Sequence, residues 1–278
     1  DALVRQHGAD KIAYVSLETN VNMAGGQPVS LQNMRELREY GAKHSIAIML
    51  DATRAVENAY FIKKREPEYK DESIAAILGE ICSYTDGCTM SGKKDGLVNI
   101  GGFLAVNDDE LAEKARNLVV CFEGLHTYGG MAGRDMAAMA VGIKESVEYD
   151  YIRARVEQVA YLGQKLAKFG VPTVVPFGGH AIYLDARKIL SHLHQEQFPA
   201  QRLAGELYLE GGIRSMERGI VSAGRKADGS HYKPELELVR LTIPRRVYTQ
   251  SHLDVVSECV ARVCERAESV SGLEMVYE

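Results

Sequence analysis

The stretch Ile46-Ala47-Ile48-Met49-Leu50 is a run of five apolar residues, and Asp51-Ala52-Thr53-Arg54 follows it directly. A short continuous apolar run of this kind predicts a buried strand. Similar runs stand at Ile12–Leu17, at Phe103–Val106 and, more weakly, at Ser83–Asp86. Because helical patterns separate these runs, the first half of the chain is predicted to form an α/β domain with a mostly parallel sheet.

Helical patterns fill the spaces between the predicted strands. Ser30 is a predicted N-cap for a helix whose apolar positions recur at helical spacing, and further helices are predicted near residues 71–81 and 108–117. A long helical pattern runs from about Arg134 to Lys168, with room for a break near Asp150. Gly170 and Pro172 follow it, which is typical of a helix end.

The second half of the chain predicts a smaller α+β domain. Its predicted elements are strands at Pro172–Val175 and His180–Leu184, a helix at Ala200–Leu209, a strand at Leu236–Ile243 and a closing helix at Ser251–Glu268. We therefore predict part of a large α/β domain over residues 1–147, a connecting helix over 148–170 and a small α+β domain over 171–278.

Composition excludes several classes of protein. With a net charge of −5 and no polybasic run, the sequence does not favour a nucleic-acid or membrane-surface partner. No apolar stretch approaches the roughly 20 residues that span a bilayer. The five cysteines form no C-x-x-C pair, which argues against a zinc site or a disulfide framework and favours a reducing cytoplasm.

The segment Ser91-Gly92-Lys93-Lys94-Asp95 carries the strongest chemical signal. A lysine that forms a Schiff base must be deprotonated, and a neighbouring ammonium group lowers its pKa by repulsion between like charges. Ser91 could bind a phosphate. The alternative is a solvated Lys-Lys turn, which is the more common meaning of such a pair.

Asp51 stands at the carboxyl end of a predicted strand, which is where α/β sheets bind ligands. A buried aspartate there can keep a pyridinium nitrogen protonated, although it can equally cap the next helix. The order of a strand-end aspartate and then, some forty residues later, a loop lysine is found in one large class of pyridoxal-phosphate (PLP) enzymes.

Three further segments offer ligand-binding side chains. Asn22 precedes a Gly25-Gly26 turn and could bind a cofactor hydroxyl or a carboxylate, or could belong to an ordinary loop. Arg240 lies inside an apolar strand, where it could grip a carboxylate or form an internal salt bridge. Arg218 ends the run Arg214–Arg218, and its simpler interpretation is an exposed arginine on the surface.

These segments resemble the tyrosine phenol-lyase/tryptophanase family of PLP-dependent β-eliminating lyases over essentially the whole chain. The most specific part is Met90–Asp95 through Gly101-Gly102, supported by Ala24–Ser30, Glu57–Lys63 and Arg240–Arg245. The resemblance implies the aspartate-aminotransferase-like fold (fold type I), PLP and potassium as cofactors, and a cytoplasmic homotetramer whose sites are shared between subunits. Its substrate is expected to be an amino acid.

The resemblance also implies a role for individual residues. It assigns Lys94 to the Schiff base and to removal of the Cα proton. Around the cofactor it assigns Asp51 to the pyridinium nitrogen, Arg54 to the phenolic oxygen, Ser91 to the phosphate, and Lys93 and Asn22 to the surroundings. It assigns Asn22, Met216 and Arg240 to substrate binding, Arg218 to the leaving group, and the Asn99 carbonyl to potassium.

Within this family the run Arg214–Arg218 resembles the phenol-releasing branch, because an arginine can stabilise charge on a phenol oxygen but would be unpaired against indole. Release of phenol, pyruvate and ammonia from L-tyrosine is therefore the expected reaction. A tryptophanase or a cysteine-type β-lyase on the same scaffold, and a non-catalytic assembly protein, stay open as alternatives.

Two departures qualify this expectation. Leu125-His126 stands where the resemblance calls for a bulkier apolar residue and a proline, which leaves the leaving group open. The family's N-terminal phosphate loop and its C-terminal tail have no counterpart in these 278 residues. We therefore expect the 278 residues alone to be inactive.

Overall fold

The computed structural model describes residues 1–276, which form two compact units. The first unit comprises Asp1–Asn20 and Pro28–Ala154, and the second comprises Val21–Gln27 and the chain from Arg155 onward. The second unit is thus assembled from two separate stretches of sequence. The domain boundaries that the sequence suggests at residues 147 and 170 stay a prediction.

The elements of the first unit alternate as an α/β domain requires. They are α1 (Ala2–His7), β1 (Tyr14–Glu18), α2 (Leu31–His44), β2 (Ala47–Asp51), α3 (Ala55–Arg65), α4 (Ile74–Ser83), β3 (Gly87–Ser91), β4 (Gly102–Val106), α5 (Asp109–Phe122), α6 (Gly133–Ser146) and the start of α7 (Tyr149–Lys168).

The four strands of this unit form one sheet in the order β1-β2-β3-β4. The first three are parallel, and β4 runs antiparallel to β3. Apolar side chains of β2 and of the helices around it form the core, with Ile48, Leu50, Leu31 and Ile77 almost fully buried. The mostly parallel α/β sheet predicted from the apolar runs is confirmed.

The third strand begins four residues later than the sequence suggests. The prediction of a strand at Ser83–Asp86 is wrong, because Ser83 is the last residue of α4 and the Asp86 carboxylate binds Arg38 and accepts a hydrogen bond from the Ile48 amide. Gly87 begins the strand. A side chain would not fit at this position, because a Cβ there would stand 2.6 Å from the Ala105 carbonyl oxygen.

Side-chain caps define three helix starts, of which the cap at Ser30 is the predicted one. The Ser30 hydroxyl accepts a hydrogen bond from the Asn33 amide at the start of α2, and Ser73 and Asp108 cap α4 and α5 in the same way. The long helical pattern is divided between α6 and α7 by residues 147–148, close to the break predicted near Asp150.

The second unit contains the remainder of α7, β5 (Ala181–Asp185), α8 (Ala186–Ile189), α9 (Pro199–Gly211), β6 (Met216–Arg218), α10 (Ile220–Ala223), β7 (Leu238–Thr242) and α11 (Gln250–Glu265). Its three strands form an antiparallel sheet in the order β5-β7-β6. The predicted strand at Pro172–Val175 is reduced to a single bridge between Thr173 and Leu184, and β6 is a strand that the sequence did not suggest.

The two faces of this sheet differ. One face packs into the main apolar cluster through Ile182, Leu184, Val239 and Leu241, together with residues of α7, α9 and α11. Successive strand residues point to opposite faces, so Tyr183, Arg240, Met216 and Arg218 share the other face. This second face carries the polar side chains described below.

Within residues 1–276, no helix combines the length and the apolar character that crossing a membrane requires. The same residues contain no group of three or more His, Cys, Asp or Glu side chains arranged to hold a metal ion.

Candidate active site

In the first unit, the loop after β3 is tied to the segment after β2. The Ser91 amide donates to the Thr53 hydroxyl at 3.2 Å, and the Asp95 amide donates to the Thr53 carbonyl at 3.4 Å. The buried Asp95 carboxylate accepts from the Val56 amide of α3 at 3.1 Å. We call Asp51–Arg54 and Ser91–Gly96 together the lysine-loop region.

Asp51 ends β2 and caps the 3-10 turn Ala52–Arg54. Its Oδ1 accepts a hydrogen bond from the Thr53 amide at 3.0 Å, and its carbonyl oxygen accepts one from the Thr19 hydroxyl at 3.2 Å. Asp51 therefore acts as a helix cap, which is one of the two interpretations of its place in the sequence. A carboxylate offers about four acceptor sites, so the cap leaves acceptor capacity for a ligand.

Arg54 is 7% exposed, and its Nε–H has no hydrogen-bond partner among residues 1–276. Its carbonyl oxygen accepts from the side-chain amide of Asn20, which is fully buried. A buried guanidinium N–H without an acceptor is unfavourable by roughly 1–3 kcal/mol. An anionic oxygen of a bound ligand would remove that penalty.

The two adjacent lysines differ in exposure. Lys93 is exposed, whereas Lys94 is half-buried in a turn whose amide donates to the Ser91 carbonyl. Helix α6 passes close by, since a Cβ at Gly142 would stand 2.1 Å from the Gly96 carbonyl oxygen. Asn99 lies in the exposed part of the chain that leads into β4. The loop backbone is therefore held while the Lys94 side chain is only partly covered.

In the second unit, three side chains converge on Asn22. Its Oδ1 lies 2.7 Å from an Arg240 nitrogen, 2.9 Å from the Tyr183 hydroxyl and 3.2 Å from His180 Nε2. Two donors, Arg240 and Tyr183, and the ring nitrogen of His180 beside the same oxygen fix the orientation of the amide. The side-chain nitrogen of Asn22 is then the group that it can offer to a ligand.

Arg240 extends across the sheet from β7. One terminal nitrogen binds Asn22, and the other lies 3.3 Å from the sulfur of Met216, the residue directly opposite on β6. A guanidinium group has five N–H donors in a fixed fork, a shape that matches a carboxylate. Arg240 and Met216 also line a cleft of about 760 Å³ beside β7 and α11.

Arg218 lies opposite Leu238 at the end of β6, two residues from Met216 and on the same sheet face. Its Nε–H is buried and has no hydrogen-bond partner in the described part of the chain. This arrangement differs from the surface arginine that is the simpler interpretation of the sequence. We call Asn22, Tyr183, Met216, Arg218 and Arg240 together the arginine face.

Two residues with a structural part in these regions were not singled out from the sequence. Thr53 joins the two halves of the lysine-loop region, and its place between the aspartate and the arginine of Asp51–Arg54 was the available signal. Tyr183 holds Asn22 across 161 residues of sequence, and His180 also contacts it. Sequence spacing contains no signal for such a pairing.

Comparisons with known proteins fit this geometry. The sequence profile described as beta-eliminating lyase matches residues 1–259. The chain belongs to the beta-eliminating lyase family. This confirms the family expected from the resemblance, and the family implies PLP as cofactor.

Curated relatives include tyrosine phenol-lyases. That of Nostoc punctiforme is 64% identical over 277 residues, which are 99% of this chain and 59% of that protein. That of Pasteurella multocida is 61% identical, again over 99% of this chain and 60% of that protein. The chain therefore spans about three fifths of the length of these relatives.

A solved structure described as Leishmania major threonine aldolase is similar in fold. The TM-score is 0.58 at 14% sequence identity, with 91% of this chain and 61% of that chain covered. At that identity the likeness concerns the fold alone. With the family match, it confirms the predicted fold type I architecture.

Proposed function

We propose that this chain is the larger part of a PLP-dependent lyase that converts L-tyrosine and water into phenol, pyruvate and ammonia. The observation that carries the proposal is the identity of 56–64% to proteins named tyrosine phenol-lyase over 99–100% of the chain. The position of Arg218, with a buried and unpartnered N–H on the same sheet face as Arg240, supports the choice of a phenol leaving group.

The lysine-loop region fits PLP by its donor set. Lys94 would hold the cofactor covalently, the Asp51 carboxylate would hold a proton on the pyridine nitrogen, and the Arg54 N–H would bind the phenolic oxygen. Ser91 is assigned to the phosphate, and Lys93, beside Lys94, keeps the local potential positive. When bound, PLP supplies an electron sink for the charge left at Cα. Lys94 removes the Cα proton.

The arginine face fits an amino-acid substrate. Arg240 would bind the α-carboxylate, while the Asn22 amide nitrogen would donate to the bound groups from a fixed orientation. Met216 would contact the aromatic ring. Arg218 would stabilise negative charge on the phenol oxygen as the bond between Cβ and the ring breaks.

The test compares two substrates of the full-length enzyme. Arg218→Ala should lose activity on tyrosine while keeping β-elimination from an S-alkyl cysteine, whose leaving group needs no phenol recognition. Loss of a charged hydrogen bond of roughly 1.5–3 kcal/mol corresponds to about a ten- to hundredfold selective loss.

Equal losses on both substrates, together with a lower melting temperature, would contradict the assignment of Arg218 and favour a structural role. Wild-type enzyme that releases indole or sulfide faster than phenol would favour a tryptophanase or cysteine-type lyase. Protein that binds no PLP would favour the non-catalytic alternative.

We also propose potassium as a second cofactor, with the backbone carbonyl of Asn99 among its ligands. The support is the family resemblance of this loop, together with the exposed position of Asn99 in the chain before β4. Replacing potassium by sodium during assay should lower activity on every substrate alike. An unchanged rate in sodium would contradict the proposal.

A homotetrameric assembly with shared sites and a cytoplasmic location complete the proposal. Light scattering on the full-length protein tests the first, and a single mass of four subunits is the expected result. Mixing Lys94→Ala, which is expected to be inactive, with Arg218→Ala, which is expected to be impaired on tyrosine only, and finding no gain of tyrosine activity after subunit exchange would leave no support for sites completed across an interface.

A further inference from the structure

The chain that follows Arg218 is held by the carboxylate of the preceding residue. Glu217 Oε1 accepts hydrogen bonds from the Gly219 amide at 2.7 Å and the Val221 amide at 3.1 Å. Its Oε2 accepts from the Ser222 amide at 2.9 Å and the Ser222 hydroxyl at 2.6 Å. The Ser222 hydroxyl also lies 2.9 Å from the Glu217 carbonyl oxygen. One side chain thus binds three of the four residues that follow Arg218, namely Gly219, Val221 and Ser222.

Glu217 cannot contact a ligand on the arginine face. It lies opposite Val239 in β6, so its side chain points away from the face shared by Met216 and Arg218. It is 6% exposed and its carboxylate is directed at the amides of its own chain. Any effect of Glu217 on that face must therefore pass through the backbone of Arg218.

A second buried carboxylate limits the same turn from the other side. Glu237 Oε1 accepts from the Ile220 amide at 2.9 Å and from the Gln195 side-chain amide at 2.8 Å. A Cβ built on Gly219 would stand 2.1 Å from Glu237 Oε2. The turn at Gly219 therefore has little freedom, and neither does the end of β6.

We propose that Glu217 is a positioning residue for Arg218, and that it determines leaving-group selection by fixing the backbone from which the Arg218 side chain extends. This inference rests on the proposed function, in which Arg218 binds the phenol oxygen. It adds a residue of the opposite sheet face to the specificity of the enzyme.

The chemistry of the turn makes an isosteric change informative. A glutamine at position 217 can place its one oxygen toward Gly219 and Val221, but its NH₂ group would then face the Ser222 amide and hydroxyl. One acceptor oxygen would be lost together with the two hydrogen bonds that it accepts from Ser222, and an N–H would oppose an N–H. The turn would shift while the size of the buried side chain stays the same.

Glu237 supplies the matched comparison. Its Oε2 is buried without a hydrogen-bond partner among residues 1–276, and burial raises the pKa of its carboxyl, with the neighbouring Glu217 charge adding to the rise against the hydrogen bond from Gln195. A glutamine there keeps Oε1 as acceptor for Ile220 and Gln195. Glu237→Gln should therefore leave the turn in place.

The experiment measures kcat/KM for tyrosine and for S-methylcysteine, and the inhibition constant of phenol, in the full-length holoenzyme. Glu217→Gln should lower the tyrosine to S-methylcysteine ratio by about tenfold and weaken phenol inhibition by a similar factor, on the scale of one lost hydrogen bond to a charged group. Glu237→Gln should keep both within about twofold.

A second control separates positioning from stability. Glu206, also buried, pairs with Arg202 and Arg266 and makes no hydrogen bond to residues 216–222. Glu206→Gln should lower the melting temperature but keep the substrate ratio. Glu217→Asp, which keeps the charge but shortens the arm, should give a ratio between those of wild type and Glu217→Gln.

The outcomes separate the two proposals. One outcome is that Arg218→Ala selectively loses activity on tyrosine while Glu217→Gln keeps the wild-type ratio of kcat/KM for tyrosine to that for S-methylcysteine. That result overturns this inference and leaves the proposed function standing. If Arg218→Ala shows no selective loss, the role of Arg218 fails, and the positioning role fails with it. A fall in the ratio for Glu206→Gln equal to that for Glu217→Gln would also overturn the inference, because loss of any buried charge would then suffice.

Discussion

The lysine-loop region and the arginine face are held in different ways. In the first, each bracing hydrogen bond has at least one main-chain partner, as in the Ser91 and Asp95 amides, which donate to the hydroxyl and the carbonyl of Thr53 about forty residues away. In the second, side chain meets side chain over long separations, as when Arg240 binds Asn22 across 218 residues. A hydrogen bond with a main-chain partner depends on one side chain at most, whereas a contact between two side chains is lost when either residue is replaced. We infer that the chemistry common to all substrates sits on the robust part and that recognition sits on the part that substitutions change more easily.

The largest expected effect lies in the lysine-loop region. Lys94→Ala should abolish the PLP adduct that borohydride traps and lower activity on every substrate by about 10³-fold or more, because the group that removes the Cα proton is lost. Mass spectrometry of tryptic peptides locates the adduct. Lys93→Ala is the control and should keep it, so an adduct found on Lys93 would refute the assignment.

The next effect concerns the charge of Asp51. Asp51→Asn keeps an oxygen that can accept from the Thr53 amide, so the cap persists while the charge at the pyridine nitrogen is lost. Exchange of the substrate Cα proton with deuterated water should slow by roughly 10²-fold with PLP still bound. Near-normal exchange would mean that Asp51 acts only as a cap.

A smaller effect is expected on the arginine face. Tyr183→Phe removes one of the two donors, Tyr183 and Arg240, that hold the Asn22 oxygen. The KM for both tyrosine and S-methylcysteine should rise about three- to tenfold with little change in kcat, since a neutral hydrogen bond contributes about 1 kcal/mol. A fall in kcat alone would show that this face acts on the chemical step rather than on binding.

The smallest effect is expected at Glu80, which lies outside both regions and serves as a reference. Glu80 accepts hydrogen bonds from Arg35, Tyr69 and Tyr84. Burial alone would raise its pKa, but the hydrogen bonds from Arg35, Tyr84 and Tyr69 outweigh burial and lower it. A lowered pKa means stability that is present above the ordinary value of 4.5 and is lost as the pH falls through the value in the folded protein.

Glu80→Gln should therefore lower the melting temperature by about 2–4 °C at pH 7. The difference from wild type should shrink below pH 4.5, the ordinary value. Activity should not change on either substrate. A difference that grows as the pH falls would contradict the direction of the pKa shift.

The sequence predicted those features of the fold that depend on neighbouring residues. The apolar run ending at Asp51 and the cap at Ser30 needed only local pattern, and both are present. Asp86 illustrates the limit of this approach. Its segment contains residues typical of strands, but α4 continues to Ser83, and the Asp86 carboxylate forms tertiary contacts with Arg38 and the Ile48 amide that a local pattern does not predict.

For the same reason, the sequence indicates some residues of the candidate site clearly and gives no signal for others. Lys94 and Asp51 are marked by the composition around them. Arg218 looks like a surface residue until β6 is known, because only the pairing with β7 assigns it to the same face as Arg240. The buried turn that Glu217 stabilises has no sequence signature, since Gly219 could equally begin an exposed loop.

The short segment Val21–Gln27 has a consequence for protein engineering. It belongs to the second unit although it is flanked on both sides by chain of the first. An exchange of substrate specificity between relatives that transplants only the contiguous stretch from Arg155 onward would bring Arg240 and Arg218 of the donor but leave the recipient's Asn22 in place. Such chimeras should bind substrates poorly even when both parents are active, and moving these seven residues along with the graft should restore binding. Substrate specificity thus depends on two separate stretches of the sequence, which must be exchanged together.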